Sequence, residues 1–358
     1  MVTFNPHAAL APLPEPIAHL ARGVELPDPM DAPPLRWGIL GAGGIAGTFA
    51  RDVPAYSSGR IVAVASRDHE RAQSFAHAHG IGRVHDSYEQ LVADPQVDAI
   101  YVATIHPMHA EHALLAIEAG KPVLVEKAFT MTAAQARRVF DAARERGVFV
   151  MEAMWTRHLP HQRVLRQILA NGALGRIVSA QADHGQSLWH VPRLTDPALG
   201  GGALLDLGVY SLSFIQSIAR DARLVSADGV LTDSGVDVAN VAVLRVGEAL
   251  AVARSNFSGR SATAAEVVCE HGALELPLQF YRPGALQLRT FGGEDPDGDT
   301  VTWDATMPGG FQYEAAEAAR CVATGVTESC VMPWSDTLAV MELMDEVRSR
   351  VGVRYPCE

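Results

Sequence analysis

The chain has 358 residues, of which 48% are hydrophobic and 20% are charged, and this ordinary globular composition over such a length predicts two domains. Its net charge of -12 argues against nucleic acid or an anionic membrane surface as a partner, because either would favour a basic face. No apolar run reaches transmembrane length, and four scattered cysteines without a CxxC pair (Cys269, Cys321, Cys330 and Cys357) predict a reduced, cytoplasmic protein.

Residues 1–34 differ from the rest of the chain, since they contain eight prolines and little helical or strand periodicity. They lack the basic start and apolar core of a signal peptide. The segment is interpreted as an extended arm that is either disordered or laid along a neighbouring subunit, and disorder is the favoured alternative.

Over residues 35–154, short apolar runs alternate with helical patterns, which is typical of βαβ units. The predicted strands are RWGIL, IVAVAS, DAIYVAT, PVLVEK and VFVMEA. Helices are predicted from Gly44 to about Val53 and over HERAQSFAHAHG, SYEQLVAD, HAEHALLAIEAG and TAAQARRVFDAARERG, some of which end at a glycine C-cap. This region is therefore predicted to be a Rossmann domain with a doubly wound parallel sheet.

The pattern changes over residues 155–358. Longer alternating segments, RIVSAQADHG, VAVLRVG, LAVARSNFSG and EVVCEHGALEL, predict strands of a large open, mostly antiparallel sheet with one covered face. Helices are predicted over residues 162–171, 203–218, 311–324 and 335–351. The chain is thus an α/β protein whose second domain is expected to bind substrate and to form the dimer contact.

A glycine-rich turn follows the first predicted strand directly and opens a helix. Gly41, Gly43 and Ala46 give the pattern GxGxxA, which encloses Gly44 and Ile45. The first glycine permits the tight turn, the second lets the backbone approach a pyrophosphate, and the small alanine lets the helix pack closely on the strand. The helix N-terminus adds free N–H groups for the phosphates, so all five residues are predicted to bind a dinucleotide.

The end of the second strand bears on cofactor choice, because an NAD-selective site usually has an acidic residue there to hold the ribose hydroxyls. Here the strand ends in Ser66 and Arg67, and Asp68 comes one place late. A hydroxyl and a guanidinium suit a 2′-phosphate, with Arg71 one turn further as support. This favours NADP over NAD, although both arginines could simply solvate the start of a helix.

Two charged residues, Glu126 and Lys127, follow apolar residues at the carboxyl end of a strand, which is where ligands bind in a doubly wound sheet. Unpaired buried charge is costly, so the pair indicates a site. There Lys127 would hydrogen-bond a substrate oxygen and assist a neighbouring proton carrier, and both residues are assigned to the cofactor edge. The alternative is that the pair marks the exit of the strand into solvent.

His106, His109 and His112 follow the strand DAIYVAT at a spacing of three. This spacing could suggest a metal site, but the series begins in a proline-containing loop and no carboxylate or cysteine completes it. We interpret Thr104, His106 and His109 as lining the cofactor edge instead, and no metal is expected.

Together these motifs resemble the Gfo/Idh/MocA family of oxidoreductases. The matching segments are GILGAGGIA, the block from DAIYVAT to PVLVEKA, and GGFQYEAAEAARCVATGVTESCVMPWSDTLAVMELMDEV, and the resemblance spans residues 35–355. Within the family, MEAMWTRHLP and GGGALLDLGVYSL look like the branch of dimeric dihydrodiol dehydrogenases and NADP-dependent D-xylose dehydrogenases.

The resemblance implies a role for each matching residue. Lys127 matches the lysine of the family's EKP motif, and Tyr210 stands where many relatives carry histidine. Tyr210 is then the proton donor or acceptor, Lys127 polarises it, and Asp206, on the same helix face, orients the pair. Trp155 matches a residue that borders the substrate pocket, and Arg157 is assigned to that pocket too. The structural alternatives are that Asp206 is a cap and that the two aromatic residues belong to the core.

Two positions depart from the family pattern. Ala128 replaces the proline of EKP, which is associated with fixing the backbone of the lysine, so the side chain of Lys127 is expected to be less tightly placed. His158 stands where members of the branch often carry an aromatic residue, and this bears on the substrate more than on the chemistry.

The predicted function is reversible hydride transfer between NADP(H), or less favourably NAD(H), and a hydroxyl-bearing carbon of a sugar, polyol or vicinal diol. A homodimer or higher homo-oligomer is expected, with the second sheet as its interface. One alternative is a non-catalytic NADP(H)-binding sensor on the same fold, against which the retained Lys127, Asp206 and Tyr210 argue. Another is a reductase for an imine or a tetrapyrrole-like substrate.

Overall fold

The computed structural model describes residues 10–292 and 298–355. These residues divide into two compact units. The parallel-sheet unit consists of Pro27–His158 and Gly309–Met341. The mixed-sheet unit consists of Leu159–Pro308 together with the described parts of Met1–Leu26 and Glu342–Glu358.

Helices and strands alternate in the first half of the chain, and strands dominate the second half. The helices are α1 (Glu15–Leu20), α2 (Gly44–Tyr56), α3 (His69–His79), α4 (Tyr88–Ala93), α5 (His109–Glu118), α6 (Ala133–Arg146), α7 (Pro160–Ala170), α8 (Val209–Ile218), α9 (Phe311–Thr324) and α10 (Trp334–Val351). The strands are β1 (Arg36–Leu40), β2 (Arg60–Ala65), β3 (Arg83–His85), β4 (Ala99–Val102), β5 (Val123–Glu126), β6 (Val150–Ala153), β7 (Ile177–Gly185), β8 (Arg223–Leu231), β9 (Asp237–Val246), β10 (Ala249–Asn256), β11 (Ala265–Cys269), β12 (Gly272–Leu276), β13 (Ala285–Thr290) and β14 (Asp299–Asp304).

The proline-rich segment is ordered from residue 10 onward, so the expectation of disorder is wrong for residues 10–34, and residues 1–9 lie outside the described part. Ile17 of α1 is fully buried within the mixed-sheet unit, and Asn171 donates hydrogen bonds from Nδ2 to the carbonyl oxygens of Leu20 and Arg22 at 2.8 and 3.0 Å. Burying one isoleucine contributes roughly 1.5–3 kcal/mol. The proline-rich composition of this segment gave no indication that Ile17 would be buried and would hold the segment in place.

The parallel-sheet unit contains a six-stranded sheet in the order β3-β2-β1-β4-β5-β6, and every described pairing in it is parallel. Every residue of β4, β5 and β6 is buried, as expected of strands covered on both faces by helices. The predicted doubly wound sheet is confirmed. The three-residue edge strand β3 was not predicted, because it is too short to show a period.

Residues far along the sequence return to this unit. The indole Nε1 of Trp334 donates to the carbonyl oxygen of Val150 at 2.8 Å, and its ring stacks on Phe140 at 5.1 Å. The unit therefore takes in Gly309–Met341, whereas the predicted domains 35–154 and 155–358 were continuous. The physical reason is the aromatic packing of the start of α10 on β6 and α6, which local periodicity does not reveal.

The mixed-sheet unit contains an eight-stranded sheet in the order β14-β13-β12-β11-β7-β10-β9-β8. Only β7 and β10 pair in parallel among the described strands, and the other neighbours are antiparallel. This confirms the large, mostly antiparallel sheet. Val178, Val230 and Leu250 remain exposed on it.

Three strands of this sheet, β8, β13 and β14, were not predicted. The segment EVVCEHGALEL is a hairpin of β11 and β12 rather than the single strand that was predicted. The strands meet at Glu270 and His271, where two polar residues interrupt the apolar alternation. A polar pair of this kind is a turn signal that the run of β-formers on either side obscured.

The helical segment before β8 starts as a π-helical turn over Leu204–Gly208 and continues as α8. By length and composition, Pro197–Ile218 could cross a membrane, which differs from the expectation that no apolar run is long enough. However, 89% of its most apolar window is buried inside the protein. It is accounted for as a core helix of the mixed-sheet unit.

Candidate functional site

The glycine turn after β1 has the geometry that its sequence predicts. Gly41 has a φ of 101°, and a Cβ added there would lie 2.8 Å from the carbonyl oxygen of Ala103. Both the left-handed backbone and the close approach of the β4 end therefore require glycine at this position. The turn is fixed by the backbone hydrogen bond from Gly41 N to Ala65 O at 2.9 Å.

The start of α2 is open on the side where a ligand would lie. Gly43 is the N-cap and makes no side-chain cap hydrogen bond. A Cβ added at Gly43 or Gly44 would meet no described atom within 4 Å, so protein packing does not explain these glycines. Ala46 is fully buried against the sheet and Ile45 is 38% exposed. Uncapped N–H groups beside free space fit the pyrophosphate of a dinucleotide.

Asp68, the acidic residue that follows the end of β2, has a structural role. Asp68 caps α3, since its carboxylate accepts a hydrogen bond from Arg71 N at 3.1 Å, and its own N–H donates to Ser66 Oγ at 3.4 Å. The guanidinium of Arg71 donates from Nε to the carbonyl oxygen of Ala42 in the glycine turn at 3.0 Å. Arg67 is exposed. Arg71 is thus attached to the glycine turn, and Arg67 lies two residues after the end of β2.

Of the histidines that follow β4, His109 has a structural role. Its Nδ1 lies 2.9 Å from the carbonyl oxygen of Ala128, and its Nε2 lies 3.1 Å from that of Thr104. Burial lowers the pKa of His109 to about 4, so the ring is neutral at neutral pH. It joins the segments that follow β4 and β5, while its 1% exposure leaves little surface for a cofactor.

His106 and His112, the histidines on either side of His109, contact different residues. Thr104 Oγ1 lies 3.0 Å from Nδ1 of His112, and Nε2 of His106 lies 3.3 Å from the carbonyl oxygen of Lys127. Within residues 10–292 and 298–355, no group of three or more potential ligands could hold a metal ion. The series therefore forms hydrogen bonds to the loops rather than a converging ligand set.

Glu126 and Lys127 end β5 with their functional groups in different environments. Glu126 is buried and accepts hydrogen bonds from the hydroxyl of Tyr101 and, at 3.2 Å, from Lys127 N. Lys127 is half-buried, and the peptide bond between Lys127 and Ala128 is cis. The carboxylate thus supports the backbone that carries the lysine.

Two further carboxyl groups lie near Glu126, and sequence reasoning did not assign either to the site. Glu152 at the end of β6 accepts hydrogen bonds from Phe129 N at 3.2 Å and from Thr337 Oγ1 at 3.0 Å. Burial raises the pKa of Glu152 to about 7. Burial, with the charges of Glu126 and Glu152, raises the pKa of Glu314 in α9 well above its usual value.

Trp155 and Arg157 lie in a short turn of 3-10 helix, Trp155–His158, that follows β6. The ring of Trp155 stacks on Phe311 at 4.8 Å. Arg157 Nη1 pairs with Asp336 Oδ2 at 3.0 Å, and both side chains are buried. The ion pair gives Arg157 a structural role, and its assignment to a substrate pocket stays a prediction.

In the mixed-sheet unit, Asp206 belongs to the π-helical turn and Tyr210 to α8. Both are 7% exposed. Asp206 Oδ1 accepts a hydrogen bond from Arg193 Nη2 at 2.8 Å, and this keeps the carboxylate beside a cation. The pairing with Arg193 was not predicted, because the arginine lies in a short 3-10 turn, Pro192–Thr195, that has no periodic sequence signal.

Asp237 anchors the helical segment that carries these residues. Its Oδ2 accepts hydrogen bonds from Leu204 N at 2.7 Å and from Asn240 Nδ2 at 2.8 Å. Burial raises its pKa to about 6. Gly202 has a φ of 120°, and a Cβ there would lie 2.2 Å from Asp237 Oδ1. The consecutive glycines before the helix therefore make room for the carboxylate that holds it.

Comparison with known proteins is consistent with this geometry. One family model, an oxidoreductase family with an NAD-binding Rossmann fold, matches residues 35–154. Another, the GFO/IDH/MocA C-terminal domain, matches residues 162–275. Trans-1,2-dihydrobenzene-1,2-diol dehydrogenase from Danio rerio is 38% identical over 328 residues, covering 90% of this chain and 98% of that protein. Its namesake from Homo sapiens is 35% identical over 329 residues, with the same coverage.

Solved structures give the same picture. A 3-ketoreductase from Actinomadura kijaniata in complex with NADP and TDP-benzene is 28% identical, with a TM-score of 0.78 over 90% of this chain and 99% of that chain. Levoglucosan dehydrogenase in complex with NADH and levoglucosan has a TM-score of 0.78 over 89% of this chain and 98% of that chain, at 18% identity, which shows the fold alone. The chain therefore belongs to the Gfo/Idh/MocA family of NAD(P)-binding oxidoreductases.

Proposed function

We propose that this chain catalyses reversible hydride transfer between NADP(H) and a hydroxyl-bearing carbon of a sugar, polyol or vicinal diol. The observation that carries the proposal is Tyr210 on a helix anchored by Asp237, in an oxidoreductase that retains Lys127 at the end of β5. The relatives named as dihydrodiol dehydrogenases support a vicinal diol as one substrate class.

In the proposed mechanism, Tyr210 exchanges a proton with the substrate oxygen. During oxidation the O–H proton would go to the phenolate oxygen of ionised Tyr210, which becomes a neutral phenol, while the C–H bond breaks with loss of hydride and a carbonyl group forms. Bound nicotinamide supplies the hydride acceptor or donor. We propose that the ammonium group of Lys127 stabilises negative charge on oxygen and that Asp206, paired with Arg193, orients Tyr210. Trp155 is proposed to border the substrate.

The cofactor residues are proposed from the open helix start and the basic groups beside it. The turn of Gly41, Gly43 and Gly44, together with Ile45 and Ala46, would hold the pyrophosphate. Residues proposed at the adenosine and nicotinamide sides are Ser66, Arg67, Arg71, Thr104, His106, His109 and Glu126. His109 and Glu126 are buried and hydrogen-bonded to backbone groups. Their proposed role is therefore to hold the backbone that lines the cofactor, without contacting the cofactor directly.

We propose NADP as the preferred cofactor. The capping role of Asp68 supports this, because a carboxylate that accepts from Arg71 N is less available to ribose hydroxyls. Arg67 and Arg71 supply the positive charge that a 2′-phosphate requires. Replacing both by alanine is expected to lower the ratio of kcat/KM for NADP⁺ over NAD⁺ by roughly tenfold or more, whereas their replacement by lysine should preserve most of it.

A homodimer through the outer face of the eight-stranded sheet, in the cytoplasm, is proposed as the working state. Val178, Val230 and Leu250 support the interface, since they expose apolar surface on neighbouring parts of that sheet. Cys269, Cys321 and Cys330 are free thiols, which supports a reducing compartment. Cys357 lies outside the described residues.

The experiment that tests the function is reduction of NADP⁺ and NAD⁺ with a panel of aldoses, inositols and vicinal diols. Lys127→Ala and Tyr210→Phe are each expected to lower kcat by about 10²–10⁴-fold, because each removes a group from proton transfer, while NADP(H) binding persists. The chain has one other lysine, Lys121, at the opposite end of β5. Lys121→Arg is the matched control and should retain activity.

Two other outcomes of this experiment would contradict different parts of the proposal. If the wild-type protein binds NADP(H) tightly but turns over no member of the panel in either direction, the dehydrogenase proposal fails and a sensor becomes the better explanation. If it turns over a substrate that Lys127→Ala and Tyr210→Phe use equally well, the activity stands but the assignment of these residues fails.

A further inference from the structure

Tyr210 packs against a polar aromatic group that the proposed mechanism does not use. The ring of His184 lies 5.0 Å from that of Tyr210 in an edge arrangement, and the ring of Tyr281 lies 5.4 Å from it. His184 and Tyr281 stack on each other at 4.4 Å with an interplanar angle of 26°. His184 is fully buried, and Tyr281 is 7% exposed. The three rings thus form one packed group inside the mixed-sheet unit.

Gln186 joins two members of this group by hydrogen bonds. Its Nε2 lies 2.9 Å from His184 Nε2 and 3.2 Å from the hydroxyl oxygen of Tyr281. Both distances are within hydrogen-bond range, so the amide of Gln186 contacts the imidazole and the phenol together. One amide therefore helps to fix the positions of both the histidine ring and the neighbouring phenol.

The backbone that carries His184 and Gln186 is itself closely held at the end of β7. Gly185, between them, has no room for a side chain, since a Cβ would lie 2.6 Å from Asn256 Nδ2 and 2.6 Å from Ser261 Oγ. Gln186 N donates to the carbonyl oxygen of Asn256 at 3.0 Å. The backbone that places the imidazole beside Tyr210 is therefore fixed at the end of a sheet strand and is not part of a flexible loop.

A phenyl ring would fill the same volume without the desolvation that a buried imidazole entails. We propose that His184, held by Gln186 and Tyr281, is a positioning residue for proton transfer by Tyr210, an inference that rests on the proposed function. Its ring fixes the orientation of the phenol and provides a polar neighbour that makes the ionised phenol less unfavourable than an apolar wall would. The group thus acts through Tyr210 and does not itself exchange the substrate proton.

His184→Phe is the direct test, because it keeps an aromatic ring and removes both ring nitrogens. We expect kcat to fall by roughly tenfold with the KM for NADP⁺ unchanged. We also expect the limb of the pH–kcat profile that depends on Tyr210 to move to higher pH, since an apolar neighbour disfavours the ionised phenol. Phe214→Leu is the control, as Phe214 contacts Phe280 of the same core and should change stability without moving the profile.

Gln186→Met provides a second variant if His184→Phe does not fold, since it keeps the side-chain length and leaves the imidazole in place without its donor. It should shift the same limb in the same direction by a smaller amount. A pH profile that superimposes on the wild-type profile in whichever of these variants folds would overturn the inference, because a purely structural role would change stability alone.

A measurement that needs no turnover separates this inference from the proposed function. The ultraviolet titration of Tyr210 is obtained as the difference between the wild-type protein and Tyr210→Phe, and the same difference is measured with His184→Phe as the background. A shift to higher pH supports the positioning role, and an unchanged titration contradicts it. If Tyr210→Phe proves fully active, the proposed function of Tyr210 fails whatever the titration shows.

Discussion

Buried carboxyl groups in the two units are accommodated in different ways. In the mixed-sheet unit, Asp237 accepts hydrogen bonds from Leu204 N and Asn240 Nδ2. In the parallel-sheet unit, Glu314 is equally buried, but neither of its carboxyl oxygens has a hydrogen-bond partner among residues 10–292 and 298–355. Two donors to Oδ2 limit the rise in the pKa of Asp237 to about 6, although its Oδ1 has no partner among the described residues. Without donors, burial and two nearby carboxylates raise the pKa of Glu314 well above its usual value. The same chemical group therefore positions backbone in one unit and is neutralised in the other.

The largest effect is expected from displacing the carboxylate that holds the helix. Gly202→Ala places a Cβ 2.2 Å from Asp237 Oδ1 on a backbone with a φ of 120°. Steric overlap and backbone strain together should lower the free energy of unfolding by about 3–5 kcal/mol. Because this helix carries Asp206 and Tyr210, activity should fall as well. Chemical denaturation monitored by circular dichroism measures the first quantity.

Gly235→Ala is the matched control for this prediction. Gly235 also has a positive φ, of 81°, but a Cβ there meets no described atom within 4 Å. Only the backbone strain of about 1 kcal/mol applies. Equal losses in the two variants would show that the contact with Asp237 contributes nothing and that the helix is held by other groups.

The next effect is expected from removing the carboxyl group that lacks a partner. Glu314→Gln replaces a group whose ionisation is opposed by burial and by Glu126 and Glu152. At about pH 8 the variant should be more stable than the wild-type protein by on the order of 1–3 kcal/mol, because folding of the wild-type protein must either protonate Glu314 or bury its charge, whereas the amide carries no charge. Below about pH 4 the two should be alike, because Glu314 is then protonated in the unfolded chain as well as in the folded protein.

The pH dependence of wild-type stability gives the sign of this effect. Glu152 releases its proton near 4.5 in the unfolded chain and near 7 in the folded protein. Between those values the folded protein binds more protons, so the free energy of unfolding falls as the pH rises. Glu314→Gln should make that decline shallower, and the surface variant Glu118→Gln should leave it unchanged. A steeper decline in Glu314→Gln would mean that Glu314 is ionised and stabilising in the folded state.

Sequence patterns predicted the parallel sheet well because its signals are local. Short apolar runs between helices mark β1, β2, β4, β5 and β6, and the pattern GxGxxA marks the phosphate turn. The same holds for the glycine C-cap of α3, Gly80, which acts on its own helix. Each of these features depends on residues within one turn or one strand, so a single sequence contains enough information to place it.

The environment of the candidate site could not be predicted in the same way. Glu314 meets the charges of Glu126 and Glu152 only because α9 returns to the first sheet, and no local period reports that return. The group around His184 likewise combines residues from the end of β7 and from the turn before β13. Even Arg157, which the family resemblance placed near substrate, has its charge satisfied by Asp336, 179 residues away. The sequence shows which residues carry functional groups, but it does not show which distant residues those groups contact.

The smallest effect concerns Asp68, an exposed carboxylate whose donor belongs to its own helix. Asp68→Ala removes the acceptor for Arg71 N and should lower the free energy of unfolding by about 1 kcal/mol, the usual contribution of an N-cap. Asp68→Asn keeps an oxygen acceptor and removes only the charge, so it should retain most of that stability, as thermal unfolding can measure. If both substitutions are equally destabilising, the negative charge at the helix start matters more than the hydrogen bond. The exposed carboxylate would then act through charge, unlike Asp237, whose hydrogen bonds to Leu204 N and Asn240 fix a backbone position.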